Sequence, residues 1–209
     1  MCGIAGFFDP GISSECARNV LDLMCQKLKH RGPDDNRTWF SPELGVGFSH
    51  TRLAIIDLSE GGQQPMVSPG GNFMITFNGE IYNHRELRKE CEREGVCFRG
   101  HSDTEVLLGC VDLWGVEKAL DRCIGMFAFA LLDKKHKVIY LVRDRLGEKP
   151  LYYGWQNGVF LFGSELKAIK THPAWQGGID RDAIANLLSY GYIPGENSIH
   201  PGVLKLAPG

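Results

Sequence analysis

The chain contains an uninterrupted apolar run, Met126–Leu132, and this run constrains the fold more than any other feature of the sequence. A strand with one face in water alternates apolar and polar side chains, whereas a strand covered on both faces is apolar throughout. The run therefore predicts a strand inside a layered domain, with other elements packed on both of its faces.

Elsewhere the apolar residues recur with the periods of further strands and helices. Strands are predicted at 3–8, 45–49, 53–57, 73–77, 138–142, 151–155 and 159–162. Helices are predicted at 15–29, 84–94, 103–114, 164–171 and 180–190. Strand-rich blocks interleaved with a few amphipathic helices favour an α+β fold, in which helices cover sheets, over alternating βαβ units.

Composition argues against several classes of protein. The formal net charge of −2 gives no electrostatic footprint for nucleic acid or for an anionic membrane, and no apolar run approaches the roughly 18 residues that span a bilayer. The N-terminus lacks the basic stretch of a secretory signal. The seven cysteines are odd in number and form no C-x-x-C pair, which disfavours disulfide and zinc frameworks. We therefore expect a cytoplasmic protein with reduced thiols, no metal site, and neither nucleic acid nor a membrane as partner.

Cys2 directly follows the initiator methionine. Its side chain is small enough for Met1 to be removed, which leaves a free α-amino group on the cysteine itself. An α-amine has a pKa of about 7.7–8.0 and a thiol one of about 8.5, so proton transfer between them is nearly balanced. One residue can then supply both nucleophile and general base. The alternative is that Cys2 simply begins a strand.

Asn78 and Gly79 follow the predicted strand 73–77. An Asn amide and a Gly backbone N–H can donate two hydrogen bonds to one oxyanion. Asn-Gly is also the commonest signal for a hairpin turn. The sequence alone leaves both interpretations open.

Two charged residues lie at predicted element ends. Arg52 precedes the predicted strand 53–57, where its guanidinium can hold a carboxylate through two hydrogen bonds, unless it is a solvated loop arginine. Asp103 opens the predicted helix 103–114, where it can pair with an ammonium group. Alternatively Ser102 or Asp103 is only a helix cap, with Glu105 completing a capping box.

Considered together, these residues supply a thiol nucleophile, an oxyanion-binding pair, a carboxylate holder and an ammonium holder. Free glutamine carries the groups that such a set recognises. The joint occurrence of the four signals therefore predicts a glutamine site, although each signal is weak alone.

The N-terminal string Met1-Cys-Gly-Ile-Ala-Gly-Phe resembles the start of class II glutamine amidotransferases, which are N-terminal nucleophile hydrolases. Within that class the chain is most similar to the N-terminal domain of glutamine-hydrolysing asparagine synthetases. The matching segments follow the family's order and cover nearly the whole chain: His30–Asp34, His50–Asp57, Gly62–Met66, Phe77–Asn83, Ser102–Val106, Gly125–Phe129 and Arg143–Tyr153.

The resemblance implies a four-layer αββα sandwich in which Cys2 attacks the side-chain amide of L-glutamine and forms a thioester. Asn78 and Gly79 are implied to stabilise the oxyanion. The implied substrate-binding residues are Arg52 for the α-carboxylate, Asp103 and Glu80 for the α-amino end, and the backbone around Leu53, Ile55 and Ile56 for the pocket wall.

The resemblance also implies a C-terminal synthetase domain, which receives the ammonia through a tunnel and uses ATP and Mg²⁺ to amidate aspartate. The sequence contains neither the Ser-Gly-Gly-x-Asp-Ser loop of that domain nor a G-x-x-x-x-G-K-[ST] loop, so no cofactor is expected in this chain. We interpret 1–195 as the glutaminase domain and 196–209 as the start of a linker to the missing synthetase domain. The expected partners are L-glutamine and that domain, and a homodimer is compatible with the resemblance.

Two alternatives remain open at this point. The ammonia acceptor can be a sugar or another carboxylate in polysaccharide assembly instead of aspartate. The domain can also be a non-catalytic glutamine-sensing or interaction module, in which case Met1 is retained and no thioester forms.

Overall fold

The computed structural model describes residues 1–55 and 59–209 of the chain. In these residues two antiparallel sheets pack face to face, and helices cover the outer face of each sheet. The layers follow the order helix, sheet, sheet, helix. This arrangement confirms the α+β class and the αββα sandwich expected from the sequence.

The first sheet has the N-terminal strand near its centre. In spatial order its strands are β10 (Val203–Lys205), β8 (Tyr152–Gln156), β9 (Val159–Gly163), β1 (Gly3–Phe8), β3 (Val46–Arg52) and β2 (Asp35–Ser41). Gly3 of β1 pairs with Thr51 of β3, so the residue before β1 lies beside the end of β3. A Cβ on Gly3 would lie 2.6 Å from Thr51 Oγ1, which explains why glycine follows Cys2.

The second sheet is built around two long strands. In spatial order its strands are β4 (Met66–Val67), β5 (Phe73–Ile81), β6 (Gly125–Asp133) and β7 (Val138–Arg143). Alternate side chains of β6 enter two cores, with Ala128, Ala130 and Leu132 between the sheets and Phe127, Phe129 and Leu131 under the helices. Both faces of β6 are therefore covered, as its apolar run predicts.

Helices form the two outer layers. The first sheet is covered by α1 (Ser14–Leu28) and α5 (Leu166–Ile169), and the second by α2 (His84–Arg93), α3 (Asp103–Trp114) and α4 (Val116–Arg122). Towards the C-terminus lies α6 (Arg181–Tyr190), and Glu60–Gly62 forms a 3₁₀ turn. None of the helices in the described part of the chain is long and apolar enough to cross a bilayer.

Local structure differs from the sequence prediction around the segment 53–57. Residues 53–55 form no strand because β3 ends at Arg52, and the N–H of Ala54 donates to the Asp34 carboxylate at 2.8 Å instead of to a neighbouring strand. Residues 56 and 57 lie outside the described residues. The strand β3 corresponds to the one predicted at 45–49, and the further strand predicted at 53–57 is wrong for residues 53–55.

The C-terminal segment contributes to the first sheet. Strand β10 pairs with β8, and Val203 of β10 is 1% exposed. The interpretation of 196–209 as the start of a linker remains a prediction, but residues 203–205 pack as part of the folded sheet.

Candidate active site

One cleft opens where the end of β3, the C-terminal half of β5 and the start of α3 approach the N-terminus. The predicted site residues that the structure describes all line this cleft: Cys2, Arg52, Leu53, Ile55, Asn78, Gly79, Glu80 and Asp103. Ile56 lies outside the described residues. The fold thus brings together residues that are far apart in the sequence.

Cys2 is half-buried at the edge of the cleft, directly before β1. Its Sγ accepts a hydrogen bond from the N–H of Leu53 at 3.4 Å. Its carbonyl oxygen accepts one from Arg31 Nε at 2.9 Å, and Arg31 Nη1 in turn donates to Glu165 Oε1 at 3.1 Å. The main chain and the side chain of Cys2 are therefore both held in place.

Burial raises the pKa of the Cys2 thiol above its ordinary value. This rise is opposed by the N–H of Leu53, by the ammonium group of Met1 and by the Arg52 guanidinium. The Asp103 carboxylate adds to the rise. The thiol is therefore protonated near neutral pH, so it needs a base in order to react as a nucleophile.

Asn78 lies within a strand and not in a turn. Strand β5 runs unbroken from 73 to 81, and both Asn78 and Gly79 pair with β6. The hairpin interpretation is therefore wrong. Asn78 is 1% exposed, and its Nδ2 has no hydrogen-bond acceptor among the described residues. Because a buried donor without a partner costs about 1–3 kcal/mol, this nitrogen marks a position where a ligand oxygen is expected.

The backbone N–H of Gly79 points to the edge of β5 that faces the cleft. On this edge the N–H of Phe77 donates to Gln64 Oε1 at 2.6 Å, and the N–H of Ile81 donates to Asp103 Oδ2 at 2.9 Å. Backbone groups alternate in direction along a strand, so the N–H of Gly79 points the same way as these two. The N–H of Gly79 lies between the N–H groups of Phe77 and Ile81, and it follows Asn78, whose Nδ2 has no acceptor among the described residues.

Position 79 has no room for a side chain. A Cβ there would lie 2.3 Å from the carbonyl oxygen of Met126 and 2.6 Å from Cα of Phe127. A larger residue would push β5 away from β6 and displace the neighbouring Asn78. The close approach of the two strands therefore accounts for the glycine.

Arg52 is the last residue of β3 and is 9% exposed. Its Nη1 donates to the carbonyl oxygen of Ser59 at 3.0 Å, which holds the guanidinium at the wall of the cleft. The interpretation of Arg52 as a solvated loop arginine is therefore wrong.

Ser102 and Asp103, at the start of α3, make different contacts. Ser102 is the N-cap, and its Oγ accepts from the N–H of Glu105 at 3.2 Å. Asp103 is 6% exposed and lines the cleft. Burial raises the pKa of its carboxyl group, and hydrogen bonds from the N–H groups of Ile81 and Thr104 oppose the rise.

The cleft is also lined by polar residues that local sequence patterns do not identify as site residues, among them His50, Gln64 and Lys149. Nε2 of His50 donates to the carbonyl oxygen of Phe77 at 3.1 Å, and burial lowers the pKa of His50 to about 4, so its ring is neutral at pH 7. Gln64 is 6% exposed and Lys149 is 7% exposed. Both lie in segments that match the family, which is the one signal that points to them.

The described residues contain neither a metal-binding cluster nor a disulfide. In residues 1–55 and 59–209, no group of three or more His, Cys, Asp or Glu side chains is arranged to hold a metal ion. All seven cysteines are free thiols.

The family model for a glutamine amidotransferase domain matches residues 1–209. The chain belongs to this family. The amidotransferase domain is 41% identical over 212 residues to asparagine synthetase (glutamine-hydrolyzing) 3 of Bacillus subtilis strain 168. It is 37% identical over 211 residues to asparagine synthetase (glutamine-hydrolyzing) 1 of the same strain. These matches cover 100% of the domain but 34% and 33% of the relatives, so the chain spans about a third of the length of the curated relatives it matches.

Solved structures share the fold of the amidotransferase domain. A glutamine phosphoribosylpyrophosphate amidotransferase from B. subtilis matches with a TM-score of 0.68 and 20% identity, over 81% of this domain and 43% of that chain. The likeness concerns the fold alone.

Proposed function

We propose that the domain hydrolyses L-glutamine to glutamate and ammonia through a thioester on Cys2. The observation that carries this proposal is that the half-buried thiol of Cys2 and the Asn78 amide, whose Nδ2 has no acceptor among the described residues, line the same cleft. A thiol needs an oxyanion site opposite it in order to cleave an amide, and Asn78 Nδ2 with the N–H of Gly79 supplies two donors.

The same cleft carries charges that match the two ends of an amino acid. The Arg52 guanidinium is suited to the α-carboxylate of glutamine, and the carboxylates of Glu80 and Asp103 are suited to its α-ammonium group. Held at these two ends, the substrate directs its side-chain amide towards Cys2.

The mechanism begins once Met1 has been removed, which exposes the α-amine of Cys2. The thiol proton moves to this amine, and the sulfur attacks the amide carbon of glutamine. The carbonyl oxygen becomes an oxyanion that accepts hydrogen bonds from Asn78 and Gly79. Collapse breaks the C–N bond, and the leaving nitrogen takes the proton from the α-ammonium group and departs as ammonia. Water, deprotonated by the α-amine, then attacks the thioester. The C–S bond breaks, glutamate leaves, and the Cys2 sulfur takes back a proton from the α-ammonium group.

Glutamate release from L-glutamine by the purified protein tests this proposal. The wild type should release glutamate, and Cys2→Ala should abolish release. Cys97→Ala is the matched control, because Cys97 is an exposed thiol outside the cleft. No release from the wild type would favour the non-catalytic glutamine-sensing module instead.

We further propose that the ammonia passes to a synthetase domain in the same polypeptide, which amidates aspartate with ATP and Mg²⁺ in the cytoplasm. The names of the two B. subtilis relatives and their greater length support this proposal. Full-length protein supplied with glutamine, ATP and aspartate should form asparagine. Formation of another amide from a sugar or carboxylate acceptor would favour the polysaccharide alternative, and sedimentation of the same protein would test for a homodimer.

A further inference from the structure

The cleft-facing edge of β5 is satisfied by side chains and not by a neighbouring strand. Strand β4 pairs only with Met74 and Ile75, so beyond that point β5 has no strand partner on this edge within the described residues. Gln64 Oε1 accepts from the N–H of Phe77, two residues before Gly79, and the Asp103 carboxylate accepts from Ile81, two residues after it. Along this edge, the N–H of Gly79 therefore lies between two N–H groups that each donate to a side chain.

Gln64 is anchored at both ends of its amide. Its Oε1 lies 2.6 Å from the N of Phe77, and its Nε2 lies 3.1 Å from Oγ1 of Thr104. Thr104 is in the first turn of α3, next to Asp103, and is 3% exposed. The buried amide therefore bridges the strand that carries Asn78 and the helix start that carries the proposed ammonium ligand.

The side chain at 64 needs a particular chemistry. It must accept a hydrogen bond from a main-chain N–H and also reach a threonine hydroxyl, without adding charge beside a developing oxyanion. A glutamine amide meets these requirements because it has one acceptor end and one donor end and is neutral. A methionine of similar length would fill the space but would leave the N–H of Phe77 without its acceptor.

We propose that Gln64 is a positioning residue of the oxyanion site, which fixes the edge of β5 so that Asn78 Nδ2 and the N–H of Gly79 converge on one oxygen. This inference rests on the proposed glutaminase function. Gln64 need not touch the reacting atoms, because it acts through β5. Displacement of catalytic groups by about 1 Å can cost up to about 10²-fold in rate, so a loss of this bridge should be visible in kcat.

Steady-state glutaminase kinetics of Gln64→Met test the proposal, with Gln63→Met as the matched control. Gln63 is the neighbouring glutamine and does not line the cleft. Gln64→Met should lower kcat by roughly ten- to hundredfold while KM stays within about threefold, because the oxyanion donors move and the groups holding the amino acid ends remain. Gln63→Met should retain the wild-type values.

Alkylation of Cys2 by iodoacetamide separates positioning from a general collapse of the site. This reaction forms no oxyanion, so its rate at Cys2 should be the same in Gln64→Met and in the wild type. If Gln64→Met does not fold, Thr104→Val removes the other end of the bridge and should lower kcat at least threefold. If the wild type is active and the folded variants keep the wild-type kcat, the positioning role of Gln64 is overturned and the proposed function is not. A wild type without glutaminase activity would overturn the proposed function and this inference with it.

Discussion

Asn78 is the residue on which the proposed oxyanion site depends most. Its Nδ2 is buried without an acceptor in the described residues, while the adjacent N–H of Gly79 faces the same cleft. A buried donor without a partner calls for an explanation, and the proposed binding of a developing oxyanion supplies one.

Replacing Asn78 with Ala should lower kcat for glutamine hydrolysis by about 10²–10³, because one preorganised oxyanion donor is lost. Steady-state glutamate release measures this change. Asn36→Ala, at an exposed asparagine of β2, is the control and should retain wild-type kcat. A loss of less than tenfold in Asn78→Ala would argue against the oxyanion role.

Arg52→Ala should act on substrate affinity instead. Removing a charge-assisted pair worth roughly 1.5–3 kcal/mol should raise KM for glutamine by about ten- to hundredfold. Arg52→Lys should lie between Ala and the wild type, because lysine keeps the charge but loses the two-pronged geometry. An unchanged KM in both variants would reject the carboxylate-binding role.

At the scale of elements, strong apolar periodicity predicts structure well and turn propensity does not. The runs that became β1, β6, α1 and α3 pack against cores, so their side-chain patterns survive in the fold. The Asn-Gly signal failed because β5 is paired with β6 along its whole length, which overrides the local preference for a turn.

Strand β2 and helix α4 are among the elements that the sequence analysis missed, because their sequences carry little apolar signal. Strand β2, Asp-Asn-Arg-Thr-Trp-Phe-Ser, lies at the edge of the first sheet and exposes polar side chains. Helix α4 is only seven residues long, and Ala119 is its one buried residue. The buried loop residues Gln64 and Lys149 could not be identified from local sequence either. Whether a polar loop side chain is buried depends on tertiary contacts, which a local pattern does not show.

We predict that the free energy of unfolding depends on pH through His50, which lies in strand β3. Burial lowers the pKa of His50 from its ordinary value of 6.5 to about 4. Between these two pH values, His50 is therefore protonated in the unfolded chain but neutral in the folded chain. The free energy of unfolding should therefore fall by up to about 3 kcal/mol as the pH drops from about 6.5 to about 4.

Urea unfolding of His50→Gln at several pH values tests this dependence. The variant should show a flatter decline over that interval than the wild type, since residue 50 no longer titrates. His172, whose pKa is also lowered by burial, remains in both proteins and cancels from the comparison. Parallel curves for the two proteins would contradict the account of His50.

At the scale of the whole molecule, the two sheets place the site at one end of the sandwich, where the starts and ends of strands meet. Local sequence predicts the strands but not their spatial order, which depends on long-range pairing such as Gly3 with Thr51. The candidate site residues were proposed from the sequence because their chemistry matched one ligand and one family. Their convergence on a single cleft required the fold.

Truncation after Gly195 tests the predicted domain boundary. It removes β10 with the buried Val203, and it removes the carbonyl oxygen of Leu206 that accepts from Arg143 Nη1 at 2.6 Å. We expect the free energy of unfolding to fall by at least about 2 kcal/mol. Removal of the exposed residues 207–209 alone is the control and should change it little. Equal stability of 1–195 and the full chain would support the boundary at 195 and contradict a structural role for β10.

Intact-mass spectrometry after treatment with an electrophilic glutamine analogue tests the central claim most directly. The account predicts a wild-type protein that lacks Met1 and gains one adduct, located at Cys2 and absent from Cys2→Ala. A mature protein that retains Met1, or an adduct that persists in Cys2→Ala, would contradict an N-terminal cysteine nucleophile.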